Sequence, residues 1–212
     1  SITARGITQS GGVTIGGTTT LNGGVGAIQL TNTGNIYGGA VTITGGTNAD
    51  LFFRLADEGD IGPVNLTGTF TLITASGVGF QFAGAGGTGN FDLPDSVLGN
   101  FTVNTLALLA SQASISNGDT YYQPTISNLS LTTLTSGGIT LNGAVTTGDL
   151  MMSSAGGAIS AVNTSNDFTG AVSAFTSGTS NVTLTDKNNL TIGVVSMGSG
   201  KLALTFGKDL FT

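Results

Sequence analysis

The chain has 212 residues, 8 % of them charged, a net charge of −6 and no cysteine, histidine or tryptophan. Those absences exclude the common zinc, haem and iron–sulfur ligand sets and any Ser-His or Cys-His nucleophile pair. The five basic residues, Arg5, Arg54, Lys187, Lys201 and Lys208, are scattered under a net negative charge, which opposes binding to nucleic acid and to anionic membranes. The chain is nevertheless 39 % hydrophobic with the apolar positions patterned, so it reads as folded and not as disordered.

The first elements lie in "GITQSGGVTIGGTTTLNGGVGAIQLTNTGNIYGGAVTITG", residues 6–45. Ile7, Val13/Ile15, Leu21, Val25, Ile28/Leu30, Ile36 and Val41/Ile43 are the inward positions of short strands, separated by Gly-Gly, Asn-Gly and similar turns. Residues 1–49 are therefore assigned to solenoid coils.

Residues 50–100 depart from this pattern. They hold six of the eleven acids, two of the three prolines and six of the eleven phenylalanines. Such a shift marks an irregular coil, an insertion or a side hairpin. Strands are expected over 66–74 and 78–82, and a helical turn at "LPDSVLG", 93–99. The candidate binding residues fall here. Phe52, Phe53 and Arg54 in "DLFFRL" are adhesive candidates, because aromatic and arginine side chains dominate contact energy at interfaces. Strand alternation buries at least one of each phenylalanine pair, which favours a core role for them. Asp57, Glu58 and Asp60 in "LADEGDIG" form an acidic loop beside Arg54, a candidate for a hard cation such as Ca²⁺ and the only acids placed for carbohydrate-active chemistry. A solvated acidic loop is the preferred reading. "GAGGTGNFD" (84–92) is similar to a calcium-binding nonapeptide, but Asp92 falls one place late and the unit occurs once, so no cofactor is expected.

Residues 101–212 return to coils, with "LALLA" (106–110) far too short to cross a bilayer. From residue 128 alternating runs follow at a step near ten residues: 128–134, 138–145, 149–155, 158–163, 168–175, 181–187, 190–197 and 201–207. Leu129/Leu131, Ile139/Leu141, Leu150/Met152, Val182/Leu184, Leu190/Ile192/Val194 and Leu202/Leu204/Phe206 alternate with Thr, Ser, Ala or Gly, the period of two of strands with one buried face. The class is all-β. Transmembrane barrels need longer strands and aromatic girdles. A sandwich shares the spacing. A parallel β-solenoid accounts best for near-equivalent strands poor in charge, since like charges on neighbouring rungs repel. Coils of about 20 or about 30 residues both fit. Six Asn-x-Ser/Thr sequons occur, at Asn65, Asn100, Asn128, Asn163, Asn181 and Asn189; about four arise by chance, so they say little about glycosylation.

"NDFTGAVS" (166–173), "LTDKNNLTIGVV" (184–195), "GSGKLALT" (198–205) and "SGGITLNGAVTTGDLMMSS" (136–154) resemble the repeats of filamentous-haemagglutinin-type large exoproteins. The resemblance covers 128–212 clearly, 1–45 more loosely and little of 50–100. It implies a right-handed parallel β-helix forming the shaft of a secreted or surface-held bacterial adhesin, exported through an outer-membrane partner by two-partner secretion. That family's secretion domain carries Asn-Pro-Asn motifs. This chain has no Asn-Pro, so it is expected to be shaft and not the export signal, and its opening "SITARGITQ", in mid-pattern and without an initiator Met, reads as a mature product or an internal slice. The expected function is structural and adhesive, without catalysis, toward a receptor the sequence does not specify. Alternatives are a filament subunit stacking end to end and, more weakly, a carbohydrate-active β-helix enzyme.

Overall fold

In the computed structural model, which describes residues 1–54, 61–84 and 90–212, every strand-to-strand pairing among the described residues is parallel, and all but that of Gly79–Phe82 with Asn90–Leu93 join successive coils. The chain is an all-β, parallel β-solenoid of about 9 turns with 2 % helix. The step between coils settles the open question of coil length. Ile7 pairs with Ile28, Ile28 with Ala49 and Ala49 with Phe70. The Thr69 N–H donates to Asn48 and the Asp149 N–H to Asn128, each across the same step of 21 residues. One coil further on, the Ala171 N–H donates to Asp149 across 22 residues.

The principal sheet runs through Ile2–Thr3, Thr19–Asn22, Val41–Gly45, Ile61–Asn65, Phe101–Ala110, Ile126–Thr133, Leu150–Ser154, Ala171–Thr176, Leu190–Ser196 and Leu210–Phe211. Its branch of Ile7–Thr8, Ile28–Leu30, Ala49–Phe53 and Thr69–Thr74 joins at Phe101–Ala110, a long strand that bridges two faces of the N-terminal coils. A second sheet stacks Asn90–Leu93, Gly79–Phe82, Ile115–Asn117, Ile139–Leu141, Ile159–Ala161, Val182–Asp186 and Leu202–Phe206. A third holds Tyr121–Tyr122, Val145–Thr147 and Asp167–Phe168, and Thr14–Ile15 pairs with Ile36–Tyr37.

The inner faces make one hydrophobic core from Ile7 to Leu190. Leu129, Leu131, Leu150, Met152, Val182 and Leu184 point inward as their alternation requires. Four inward assignments are corrected, the first being Leu202, which is 44 % exposed in the end strand of the second sheet. Val25 is 79 % exposed, lying outside any strand in the turn before Ile28. Tyr37, not Ile36, fills the core at that corner. Val194 is 60 % exposed, because a register shift between Val172 and Ala174 pairs Ala174 with Val195 and turns Val194 out.

One coil is longer than the rest. Phe70 pairs with Leu106, and the side chains of Ser76 and Gln112 bond across the same step of 36 residues. The extra chain includes Asn90–Leu93, which pairs parallel with Gly79–Phe82 and lies on its N-terminal side, and the helical turn Asp95–Leu98. Phe91, carried by this added strand, packs between Phe53 and Phe80 at ring-centroid distances of 4.8 and 5.9 Å. With Tyr37 on Phe53 at 5.1 Å, the rings form a continuous aromatic column.

Candidate functional site

Phe53 is 0 % exposed and part of the hydrophobic core, whereas Phe52, 6 % exposed, lies on the opposite face of the strand and outside that core. Arg54 is exposed at the end of the same strand. The candidates Asp57, Glu58 and Asp60 lie outside the described residues, as do residues 85–89 of the glycine-rich stretch. Asp92, at the end of that stretch, is exposed and pairs in register with Gln81. Among the described residues no group of three or more Asp or Glu is placed to hold a metal ion.

Polar chemistry concentrates instead at the corners between strands. Asn35 and Asn166 are both fully buried and make the same bonds. The side-chain amide of Asn35 donates to the Leu30 carbonyl (2.9 Å), and that of Asn166 to the Ala161 carbonyl (3.2 Å). Each amide oxygen accepts a backbone N–H from the preceding coil, from Val13 (3.1 Å) and Val145 (2.9 Å). Just ahead of them in the chain, Asn32 and Asn163 accept the N–H of Gly34 and Ser165, both at 2.9 Å, closing an Asx turn. The underlying pattern is Asn-Thr-x-Asn-x-aromatic, "NTGNIY" at 32–37 and "NTSNDF" at 163–168. The sequence reading passed over it, although the two copies are visible once aligned. Asn117 does a related job, exchanging bonds with both the N–H and the carbonyl of Gly143 one coil on. A side chain at Gly143 would collide with the Asp119 carbonyl, so glycine is required at that close approach.

Three of the six sequon asparagines bind the next coil and two more, Asn100 and Asn163, donate to the carbonyls of Ser96 and Asn142. Asn128, Asn181 and Asn189 accept the N–H of Asp149, Lys201 and Asp209 in the next coil, and Asn163 closes the turn described above. These side chains hold register, which explains asparagine there without reference to glycosylation.

Among the described residues, two of the grooves on the outer surface are the broadest to concern the sheets above. One, of about 460 Å³, crosses the principal sheet over Ala107, Ser130, Met151, Ser173 and Phe175. The other, of about 680 Å³, lies along the third sheet and its junction with the strand Ile126–Thr133. There the registers Tyr122↔Thr146 and Thr146↔Asp167 set an aromatic ring, a hydroxyl and a carboxylate on successive rungs. Asp167 is paired with Lys187 at 2.7 Å and accepts from the Asn188 amide at 3.0 Å. The hydrogen bond from Lys187 holds the Asp167 carboxyl below its ordinary value of 3.8. Behind it, burial pushes Asp186 above 3.8, although the N–H groups of Phe168 and Asn188 both donate to its carboxylate. Tyr121, packed edge-on to Phe82 at 5.4 Å, has its phenol raised well above the usual range by burial, with Asp95 adding to the effect. The hydroxyls of Tyr121 and of Thr147, a groove residue, are buried without a hydrogen-bond partner.

Residues 1–44 match a family model described as repeats of unknown function (DUF5649). The match falls on the coils where the exoprotein resemblance is looser, and it agrees with the solenoid in marking a repeat architecture without specifying two-partner secretion. No curated protein and no solved structure matches the chain.

Proposed function

We propose that the chain is a structural, non-catalytic shaft segment of a large bacterial protein that is secreted or held at the cell surface, exported with an outer-membrane partner and bearing adhesive surfaces along its length. The observation that carries this reading is where its polar chemistry goes. The buried amides of Asn117 and Asn166 bond backbone groups of their own or neighbouring coils, and that of Asn35 bonds such groups together with the side chains of Gln9 and Tyr37. Such groups hold register along an axis, the requirement of a rod built by stacking near-identical units. The likeness of the strand–turn units after residue 128 to large exoprotein repeats supports the extracellular assignment.

Negative-stain electron microscopy of the purified chain tests this reading. The expected image is a short rod about 43 Å long, at ~4.8 Å per turn. Compact globules would overturn it. So would turnover of a polysaccharide panel that disappears in a Glu58→Gln, Asp60→Asn double variant.

A further inference from the structure

A shaft needs only a uniform, charge-poor exterior, and the groove beside the third sheet is not uniform. Tyr122 is 60 % exposed there, while the other two tyrosines, Tyr37 and Tyr121, are 1 % and 0 % exposed. An aromatic ring left in solvent next to a groove gives a flat apolar platform. In register with it stand the Thr146 hydroxyl and the Asp167 carboxylate, one rung apart at ~4.8 Å. Ser127 and Thr169 add hydroxyls to the lining.

We propose that this groove binds a neutral saccharide, with one pyranose ring stacked on Tyr122 and the hydroxyls of the next units bonded to Thr146 and Asp167. Three features select that class. An aromatic face with a few convergent hydroxyl and carboxylate groups is the complement of a sugar, apolar on one face and ringed by hydroxyls on its edge. The one carboxylate in the lining, Asp167, is already neutralised by Lys187, so nothing there favours an ionic ligand. The groove crosses the strands and offers side chains instead of a strand edge, which disfavours an added peptide strand. The rung spacing is also comparable to one hexopyranose unit of an extended chain. This proposal rests on the adhesive part of the shaft reading and gives it a ligand class.

Tyrosine emission tests it directly, because the chain has no tryptophan and Tyr122 alone is open to a soluble quencher. The intact chain is titrated with cellotetraose, maltotetraose and chitotetraose under iodide quenching. At least one saccharide is expected to protect Tyr122 in a saturable way. Tyr122→Ala, followed by calorimetry because the reporter is lost, is expected to weaken that binding about tenfold or more. Tyr122→Phe, which keeps the platform, is expected to stay within about twofold. Thr146→Val tests the hydroxyl independently. Absence of protection by all three saccharides, or full affinity in Tyr122→Ala, would sink the groove proposal. Negative-stain images of the same samples separate the two readings: rods that bind no saccharide overturn this proposal and leave the shaft, whereas globules overturn the shaft.

Discussion

The regular coils after Leu129 and the lengthened coil between Phe70 and Leu106 solve one problem in two ways. In the regular part coil follows coil at a nearly constant step, and the inner residues are mainly aliphatic: Leu131, Leu150, Met152, Ile159, Val172 and Val182. In the lengthened part the interior is filled by Phe53, Phe70, Phe80, Phe82, Phe91 and Phe101. Phe70 and Phe101 meet edge-on at 5.5 Å, as Phe82 and Tyr121 do at 5.4 Å. A coil of constant length fixes a narrow cross-section that branched aliphatic side chains fill. Where an added strand changes that cross-section, rings bridge the space in tilted and edge-to-face pairs, whose attraction adds to their burial.

The comparison can be broken by mutation. Phe53→Ala, in the aromatic column, is expected to cost about 4 kcal/mol of unfolding free energy, against about 3 kcal/mol for Leu131→Ala in the regular stack. Urea denaturation of both variants measures the difference, and an equal or reversed order would remove the special role of the rings. Asn166→Leu is expected to cost about 2–3 kcal/mol, because it leaves the Val145 N–H and the Ala161 and Thr185 carbonyls without their buried partner. Asn48→Ala, which removes one exposed bond to the Thr69 N–H, should cost less than about 1 kcal/mol, and near-equal losses would mean that burial is not what gives the corner its strength.

Smaller effects sharpen the picture at the Asp167–Asp186 corner. Lys187→Ala breaks an exposed ion pair and is expected to change stability by less than about 1 kcal/mol. The two acids respond oppositely to pH. Asp167, held below 3.8, contributes stability present above its unfolded value and lost as pH falls through its folded value. Asp186, pushed above 3.8, favours the folded state below its unfolded value, and that contribution is lost as pH rises through its folded value. The stability of Asp186→Asn relative to the natural chain should therefore improve as pH rises through the carboxylate range. Parallel denaturation curves at several pH values check the sign, and a flat difference would argue against desolvation of Asp186.

Period-two alternation made the strands after residue 128 legible, because small polar residues facing out and aliphatic residues facing in leave little choice of register. It failed at Val194, since a bulge shifts the inward place by one position, and pattern counting assumes none. The composition shift at 50–100 flagged a departure, yet nothing local in "NFDL" (90–93) says that it pairs beside Gly79–Phe82; that depends on the space the coils leave. The outer site was less legible still. Tyr122, Thr146 and Asp167 come from three successive coils and become neighbours only once the coil length is known. The Asn-Thr-x-Asn corners, at 32–35 and 163–166, needed comparison of two distant segments and not a walk along the chain.

Parallel coils also determine how such a rod gives way under load. The hydrogen bonds between coils lie along the axis, so tension on the two ends opens one row at a time instead of shearing the whole sheet. Each regular coil then releases 21 residues, roughly 70 Å of extended chain. The step of 36 residues would release roughly 120 Å in a single longer event. Pulled from its ends, the rod should lengthen as a staircase of even steps interrupted by one tall one, and the tall step would mark the place of the aromatic column in the unravelling order.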